Sequence, residues 1–469
     1  MFKFIKDLTI EYRNNFVEND HYKKLKNNFL ESNPHYMKDA YRDVYEVNVK
    51  NTLSVFNDEL KRSSILLAGE VQSGKTNNML FITAALIGLG FNKIIYFTGT
   101  KNNLNKQNIK RFKDFFKDAE FKDFSNAKSL FNNSNKVEIF YGIKQNLGNI
   151  NSLLNDMDIS QYENWNVLII DDECDEASSE KTKENRTVNA NILKLYETNF
   201  KKVVYLPVTA TPYANLTSFT DGLAPNYVIP LVSSTSYCGL KVFSDNDLYK
   251  IIDKSIVDKI YARNFDVQTE EIFMKYIIDF LIECYRDEKN YQFLINITVN
   301  TTPIKDYDKY IRKIISKLKV KNKAFYNNFI GNDEYISFKQ WLDKLEVKMI
   351  IEGFEYIRTT NPEIIIGGNL LSRGITFDDL IYEIMLNHSE SGIFSSDTLL
   401  QRARWFGYRL RYIYKMRIYT SNIGYNFYNN IYEIDTRIRS LYENDYSNSK
   451  DKIMRIKDIF KEYSYKWTN

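Results

Sequence analysis

The first residues in the chain that could do chemistry run Gly69-Glu70-Val71-Gln72-Ser73-Gly74-Lys75-Thr76. Two glycines enclose four residues and Lys-Thr follows, the spacing of a phosphate-binding loop. Glycine at Gly69 and Gly74 lets the backbone approach closely, so that the N–H groups around Gln72 and Ser73 can wrap a triphosphate such as ATP. Lys75 then reaches the β- and γ-phosphates, and Thr76 offers its hydroxyl to Mg²⁺. The surroundings agree. Ile65–Ala68 reads as a buried strand, and Asn77–Gly88 as a helix whose N-terminus faces the phosphates.

A loop of this kind needs a carboxylate from a neighbouring strand to hold Mg²⁺, and a base to orient the attacking water. Val167-Leu168-Ile169-Ile170-Asp171-Asp172-Glu173-Cys174-Asp175 supplies both, as a buried strand that ends in acids. Asp172 is expected to hold Mg²⁺ through water and Glu173 to polarise the nucleophile. Val208-Thr209-Ala210-Thr211-Pro212 comes next. Alone it is a strand closed by a proline turn; after an acidic box it resembles the coupling motif of superfamily 2 helicases, with Thr209 and Thr211 on the nucleic-acid side. Farther along, Ile366-Gly367-Gly368-Asn369-Leu370-Leu371-Ser372-Arg373-Gly374 and Asp397-Thr398-Leu399-Leu400-Gln401-Arg402-Ala403-Arg404-Trp405-Phe406-Gly407-Tyr408-Arg409 stand where helicase motifs V and VI stand. A loose phosphoryl-transfer transition state spreads charge over the γ-oxygens, and a planar guanidinium offered from a second lobe stabilises it. Arg404 and Arg409 are the candidates, with Gln401 ordering water. The alternative is that these arginines anchor the helix to its own lobe.

The elements that must position these groups alternate. Strand-like runs at Ile65–Ala68, Ile94–Thr98, Val137–Tyr141, Val167–Ile170 and Val203–Pro207 are separated by helical segments, the pattern of a parallel sheet covered on both faces. A second series follows at Phe293–Ile297, Lys323–Tyr326, Met349–Gly353, Glu363–Gly367, Tyr382–Leu386 and Met416–Tyr419. The expected division is a helical N-terminal extension (1–60), a first lobe (61–220), a connector with helices (221–287), a second lobe (288–425) and a helical basic tail (426–469). The fold class is α/β, two lobes in tandem.

Composition narrows the function. The chain has 469 residues, 64 Lys+Arg against 60 Asp+Glu, three Cys and three His. Unpaired Cys174, Cys238 and Cys284 argue against a disulfide framework or a zinc ribbon, and separated histidines against a His-based metal nuclease. No long apolar run suggests a membrane span, and the first residues are too charged for a secretory signal; a cytoplasmic protein is expected. From Gln401 to the end, 14 Lys/Arg face 7 Asp/Glu. That suits either a nucleic-acid surface or a solvated helical face. Glu346-Val347-Lys348, with Asp333 or Asp343 upstream, is the nearest approach to a nuclease pattern, and surface ion pairing is the favoured reading of it.

Taken together, Val-Gln-Ser-Gly-Lys-Thr, Asp-Asp-Glu-Cys-Asp-Glu-Ala-Ser, Thr-Ala-Thr-Pro-Tyr-Ala-Asn, Gly-Gly-Asn-Leu-Leu-Ser-Arg-Gly and the Gln401–Arg409 string resemble the bacterial Z-one (Z1) domain family of endonuclease-associated ATPases. Thr98-Gly99-Thr100-Lys101-Asn102-Asn103 resembles that family's segment after the second strand. The likeness runs in order from Ile65 to Arg409. It implies two RecA-like lobes of the P-loop, superfamily 2 helicase-like kind, and hydrolysis of ATP with Mg²⁺ at a site between them. It also implies a grip of Thr100, Asn103, Thr211 and Arg373 on a DNA or RNA backbone, and a role in restriction or anti-phage defence beside a separate nuclease or other subunit. Two features depart from the pattern. Ala403 stands where glycine is more usual, and Glu70 puts a carboxylate inside the phosphate loop, where it must point outward or meet a partner. The rivals to a nucleic-acid-stimulated ATPase are an ATP-gated scaffold that recruits an effector and an ATP-dependent endonuclease.

Overall fold

A run such as Val167–Ile170, apolar at every position and rich in β-branched residues, suits a strand buried on both faces. The computed structural model, which describes residues 20–32, 41–57, 59–99, 102–125, 131, 136–175, 183–217, 222–351, 356–368, 371, 375, 377–388 and 396–463, places this run inside a parallel sheet. The chain divides into two units, one of residues up to Thr235 with the segment that starts at Thr436, the other of Ser236–Asp435.

The first unit holds seven strands: β1 (Arg62–Ala68), β2 (Lys93–Phe97), β3 (Glu120–Asp123), β4 (Glu138–Gly142), β5 (Asn166–Asp172), β6 (Lys202–Thr209) and β7 (Tyr227–Pro230). Their order is β3-β4-β2-β5-β6-β1-β7. Strand alternation sorts the side chains into two layers. Ile94, Tyr96, Leu168, Ile170, Val204 and Leu206 pack with Met79, Phe81 and Leu86 of the helix Lys75–Gly88. Ile95, Phe97, Val167, Ile169, Val203 and Tyr205 pack on the opposite face with Ile192, Leu195 and Phe200. Each large side chain so buried is worth about 1.5–3 kcal/mol. The N-terminal helices do brace this core, through Tyr22, Leu25, Val49 and Leu53.

The second unit holds β8 (Tyr249–Ile251), β9 (Gln292–Asn296), β10 (Glu346–Ile350), β11 (Glu363–Gly367), β12 (Leu380–Met385) and β13 (Arg417–Thr420), ordered β10-β11-β9-β12-β13-β8 and again parallel. The fold is thus α/β with two parallel sheets. Among the described residues no helix is long and apolar enough to cross a membrane.

Two boundaries and one element differ from those expected. The 221–287 stretch is shared out: β7 closes the first sheet and β8 edges the second. Both are too short and mixed to read as strands. The tail is not separate either. Val228 N–H donates to Tyr446 O at 2.8 Å, Asn448 N–H to Asn226 O at 2.9 Å, and Phe460 meets the Tyr213 ring at 5.8 Å. The chain passes from the second unit back to the first within the helix Asn422–Ser440. Lys323–Tyr326, expected as a strand, is a short helix, because Asn322 Oδ1 accepts the Phe325 N–H at 3.1 Å and starts a turn.

The Glu-x-Lys string is structural. Glu363 is fully buried at the start of β11. It pairs with Lys348, with Arg358 Nη1 at 2.7 Å, and accepts from Tyr356 Oη at 2.7 Å and Thr359 N–H at 3.0 Å. Burial alone would raise its pKa; Lys348, Tyr356, Thr359 and Arg358 outweigh burial and hold it at about 2. A depressed carboxylate stabilises the fold above its unfolded value of 4.5 and loses that contribution as pH falls toward 2. Glu363→Gln is therefore expected to destabilise the protein by about 1–3 kcal/mol at pH 7, with a flatter stability profile between pH 4.5 and 2 than the wild type in urea titrations.

Candidate active site

β5, β6 and β1 are neighbours and parallel, so the turns at their C-terminal ends share one edge of the sheet. That is where an open α/β sheet receives ligands. The edge carries Gly69–Gly74, Asp172–Asp175 and Thr209–Thr211.

Gly74 is left-handed (φ +83°) and launches the helix Lys75–Gly88 with no side-chain cap, leaving its first N–H groups to a ligand. The Lys75 side chain crosses Gly69 so closely that a Cβ there would lie 2.5 Å from Lys75 Cγ. Its ammonium donates to Glu70 O at 3.0 Å, and Ser73 Oγ donates to the same carbonyl at 2.9 Å. Burial lowers the Lys75 pKa, while Asp172, Glu173, Asp175 and Glu70 act against that. Gln72 (φ +58°) and Thr76 are half-buried in the same loop. The Glu70 carboxylate accepts from Ser233 Oγ at 3.1 Å, beyond β7. It has the partner the sequence demanded.

The layers of the sheet explain why Asp172, and not Asp171, faces Lys75. Asp171 follows Ile169 and points into the layer of Tyr205, whose Oη donates to it at 2.7 Å; buried Lys144 pairs with its other oxygen at 2.7 Å. Asp172 follows Ile170 and points the opposite way. Its Oδ2 accepts from Asn108 Nδ2 at 3.0 Å and Tyr96 Oη at 3.4 Å, and its Oδ1 from Glu173 N–H at 3.1 Å. Burial first, then the Glu173 charge, raises its pKa to about 7 against the pull of Lys75 and Lys144. Glu173 is left-handed (φ +52°), its carbonyl accepts from Lys144 Nζ at 2.8 Å, and its Oε2 is buried with no hydrogen-bond partner.

Crowded carboxylates with an orphaned oxygen suit a hard divalent cation. Among the described residues no group of three or more His, Cys, Asp or Glu is placed to hold a metal alone. Mg²⁺ held by Thr76 and Asp172 would complete its shell with water and phosphate oxygens. Thr209 Oγ1 donates to Asp175 Oδ1 at 2.7 Å and Thr211 Oγ1 to Asp175 Oδ2 at 3.0 Å. The two hydroxyls thus hold the last acid of the box.

The second-unit candidates are deeply set. Gln401 is half-buried near the end of the helix Ser396–Arg402. Arg404 is buried and donates to Ile375 O. Arg409 is buried and donates to Phe377 O (2.6 Å), Asp378 O (3.1 Å), Leu380 O (3.2 Å) and Arg404 O (3.2 Å). Arg409 therefore anchors the turn before β12. This is the alternative that sequence reading left open. Thr100 and Arg373 lie outside the described residues, as does the side chain of Asn103.

Sequence reading missed Lys144, Asn108 and Tyr96, which touch the acids from other elements and carry no motif of their own. It also missed Arg439, which donates to Gly69 O at 3.4 Å. Elsewhere in the basic tail, Arg437 pairs with Glu462 at 2.6 Å and Lys452 with Asp445 at 3.1 Å, as a solvated helical face would.

Three solved structures are similar at low identity. The DUF1998 helicase MrfA bound to DNA has a TM-score of 0.49 at 11% identity; 86% of this chain aligns, and it spans only 51% of that one. A variant of S. cerevisiae Dbp5 bound to RNA and ADP BeF3 scores 0.40 at 12%, covering 90% of this chain and 93% of that chain. A fragment assigned as an HsdR subunit of a type I restriction enzyme from Vibrio vulnificus YJ016 scores 0.44 at 13%, covering 87% and 66%. No curated protein sequence matches the chain. Two family models do match, the type III restriction enzyme res subunit over residues 22–214 and the Z1 domain over residues 337–459. The resemblance read from the motifs is borne out: a helicase-like, restriction-type model matches the first part of the chain and a Z1 model matches the second.

Proposed function

We propose that the chain is an ATPase of the superfamily 2 helicase type, stimulated by DNA or RNA, that serves bacterial restriction or anti-phage defence. One observation carries the reading. Lys75, Asp172 and Glu173 meet at one sheet edge, close enough for both acids to act on the ammonium, and Asp175 of the same box is hydrogen-bonded to Thr209 and Thr211. Lys75 and the loop N–H groups would bind the phosphates. Mg²⁺, when bound, would neutralise charge on the phosphate oxygens. Glu173, whose buried Oε2 has no hydrogen-bond partner, would take the proton of the attacking water. Because Arg404 and Arg409 are buried and bonded within the second unit, an ATP-gated scaffold with slow hydrolysis is the second reading.

Steady-state hydrolysis separates them. Wild type and Lys75→Ala are compared with and without single- and double-stranded DNA and RNA. Turnover stimulated at least tenfold by one polymer, and lost in Lys75→Ala, is expected. Turnover that no polymer changes would replace the motor with the scaffold, and turnover that survives Lys75→Ala would remove the site altogether.

A further inference from the structure

The helix Thr301–Val320 follows β9 and buries Ile304, Tyr307, Tyr310, Ile311 and Ile314 in the second unit. Its two tyrosines face inward: Tyr307 Oη donates to Ile260 O at 2.6 Å, and Tyr310 stacks on Phe265 with centroids 3.9 Å apart. Arg312 Nη2 donates to Val347 O of β10 at 2.8 Å, which seats the helix beside that edge strand. Between Lys305 and Ser316 the fully exposed positions are Lys305, Lys309, Arg312, Lys313 and Ser316. None of them is acidic and none is aromatic. A helical rise of about 1.5 Å per residue sets the three lysines within about 12 Å, on one face.

A solvated helical face commonly neutralises itself, and elsewhere this chain does so. Lys50 pairs with Glu46 and Lys275 with Asp279, each at 2.6 Å and four residues apart. Both acids of the helix Thr301–Val320 are engaged otherwise. Asp306 takes Arg263 Nη1 at 2.7 Å, from the turn after the helix Lys254–Tyr261, and Asp308 takes Arg312 Nε at 2.9 Å. Among the described residues Lys305, Lys309 and Lys313 have no ion pair. Like charges four residues apart on a helix repel, and packing asks for none of these three. A polyanion laid along the face turns that repulsion into attraction.

We propose that Lys305, Lys309 and Lys313 form a docking track for the backbone of a nucleic-acid duplex. The inference rests on the nucleic-acid half of the reading above and narrows it to a double-stranded polymer. Lysines spaced along a rigid helix neutralise phosphates and fix the position of the polymer without reading its sequence. Single strands are held by rings on which their bases stack, and this face offers no ring. The track belongs to the second unit and uses no residue of the phosphate loop or the acidic box.

The test is fluorescence anisotropy of a labelled DNA duplex, an RNA duplex and a DNA single strand with the full chain, over a series of salt concentrations. In Lys305→Gln/Lys309→Gln/Lys313→Gln the slope of log K against log salt for the DNA duplex is expected to flatten by about 2–3, three phosphates at about 0.9 each. Duplex affinity at low salt is expected to fall by about tenfold or more, and single-strand affinity to stay within about twofold. The same three lysines replaced by arginine are expected to keep the wild-type slope. Lys23→Gln/Lys254→Gln/Lys457→Gln removes equal charge from exposed positions elsewhere and is expected to bind as wild type does. An unchanged slope in the first variant overturns the proposal, and so does an equal loss in the charge control. An equal loss for the single strand overturns the duplex assignment. A loss confined to one duplex supports the track and names the nucleic acid that docks there. If the triple variant does not fold, Lys309→Gln alone decides, with a slope change of about one expected and none overturning the proposal. A wild type that hydrolyses ATP but binds no duplex overturns the track alone. One that binds duplex but never hydrolyses ATP sinks the ATPase reading alone.

Discussion

Glu173→Gln is expected to bind ATP·Mg²⁺ within about twofold of wild type while turning it over about 10²–10⁴-fold more slowly. The substitution is isosteric and the fold does not depend on the carboxylate. Glu173 is held by its main chain, the N–H on Asp172 Oδ1 and the carbonyl on Lys144 Nζ, while its side-chain Oε2 has no partner. An amide in that place loses the ability to accept a proton from water but keeps shape and volume. Phosphate release under saturating nucleotide, beside a binding titration, makes the comparison. A kcat within threefold of wild type would falsify the assignment of Glu173 as the base.

The second large effect concerns stability. Lys144→Met leaves the fully buried Asp171 carboxylate without the ammonium that pairs with its Oδ1, while the Tyr205 hydroxyl still donates to Oδ2. Removing one partner of a buried pair typically costs about 3–5 kcal/mol, mostly from the stranded charge, whereas replacing both partners with apolar side chains is often neutral. A urea titration is expected to show the full loss in Lys144→Met and recovery of most of it in Lys144→Met/Asp171→Leu. If the double variant is no more stable than the single one, the cost lies in packing and not in the orphaned carboxylate. The single variant also frees Glu173 O from Lys144 Nζ, so its turnover should fall even where it remains folded.

The central strands were legible because burial on both faces writes itself as unbroken runs of Ile, Val, Leu and Phe, as in Ile94–Phe97 and Val167–Ile170. The edge strands were not. Glu120–Asp123 is only partly buried, and Tyr249–Ile251 has three residues, too few for a period to declare itself. The phosphate loop and acidic box were legible because their chemistry demands particular residue types in consecutive order. What supports them was not, since Asn108 and Lys144 come to the acids across separations of 64 and 29 residues. Arg409 was legible only as a residue type that suits a γ-phosphate; its bonds to the carbonyls of the turn Phe377–Leu380 carry no sequence signal. The Z1 model ends in the returning segment, where charge alone suggested a tail.

That return to the first unit sets a clock during synthesis. Asn226 and Pro225 await Asn448, Val228 awaits Tyr446, and the carbonyl of Gly69 awaits Arg439. Between the two parts of the first unit the ribosome must make all of Ser236–Asp435, which at about 5–20 residues per second takes roughly 10–40 s. For that interval the nascent first unit lacks the backbone groups that pair with its β7 edge, and the phosphate loop, although encoded early, lacks the arginine that donates to Gly69 O.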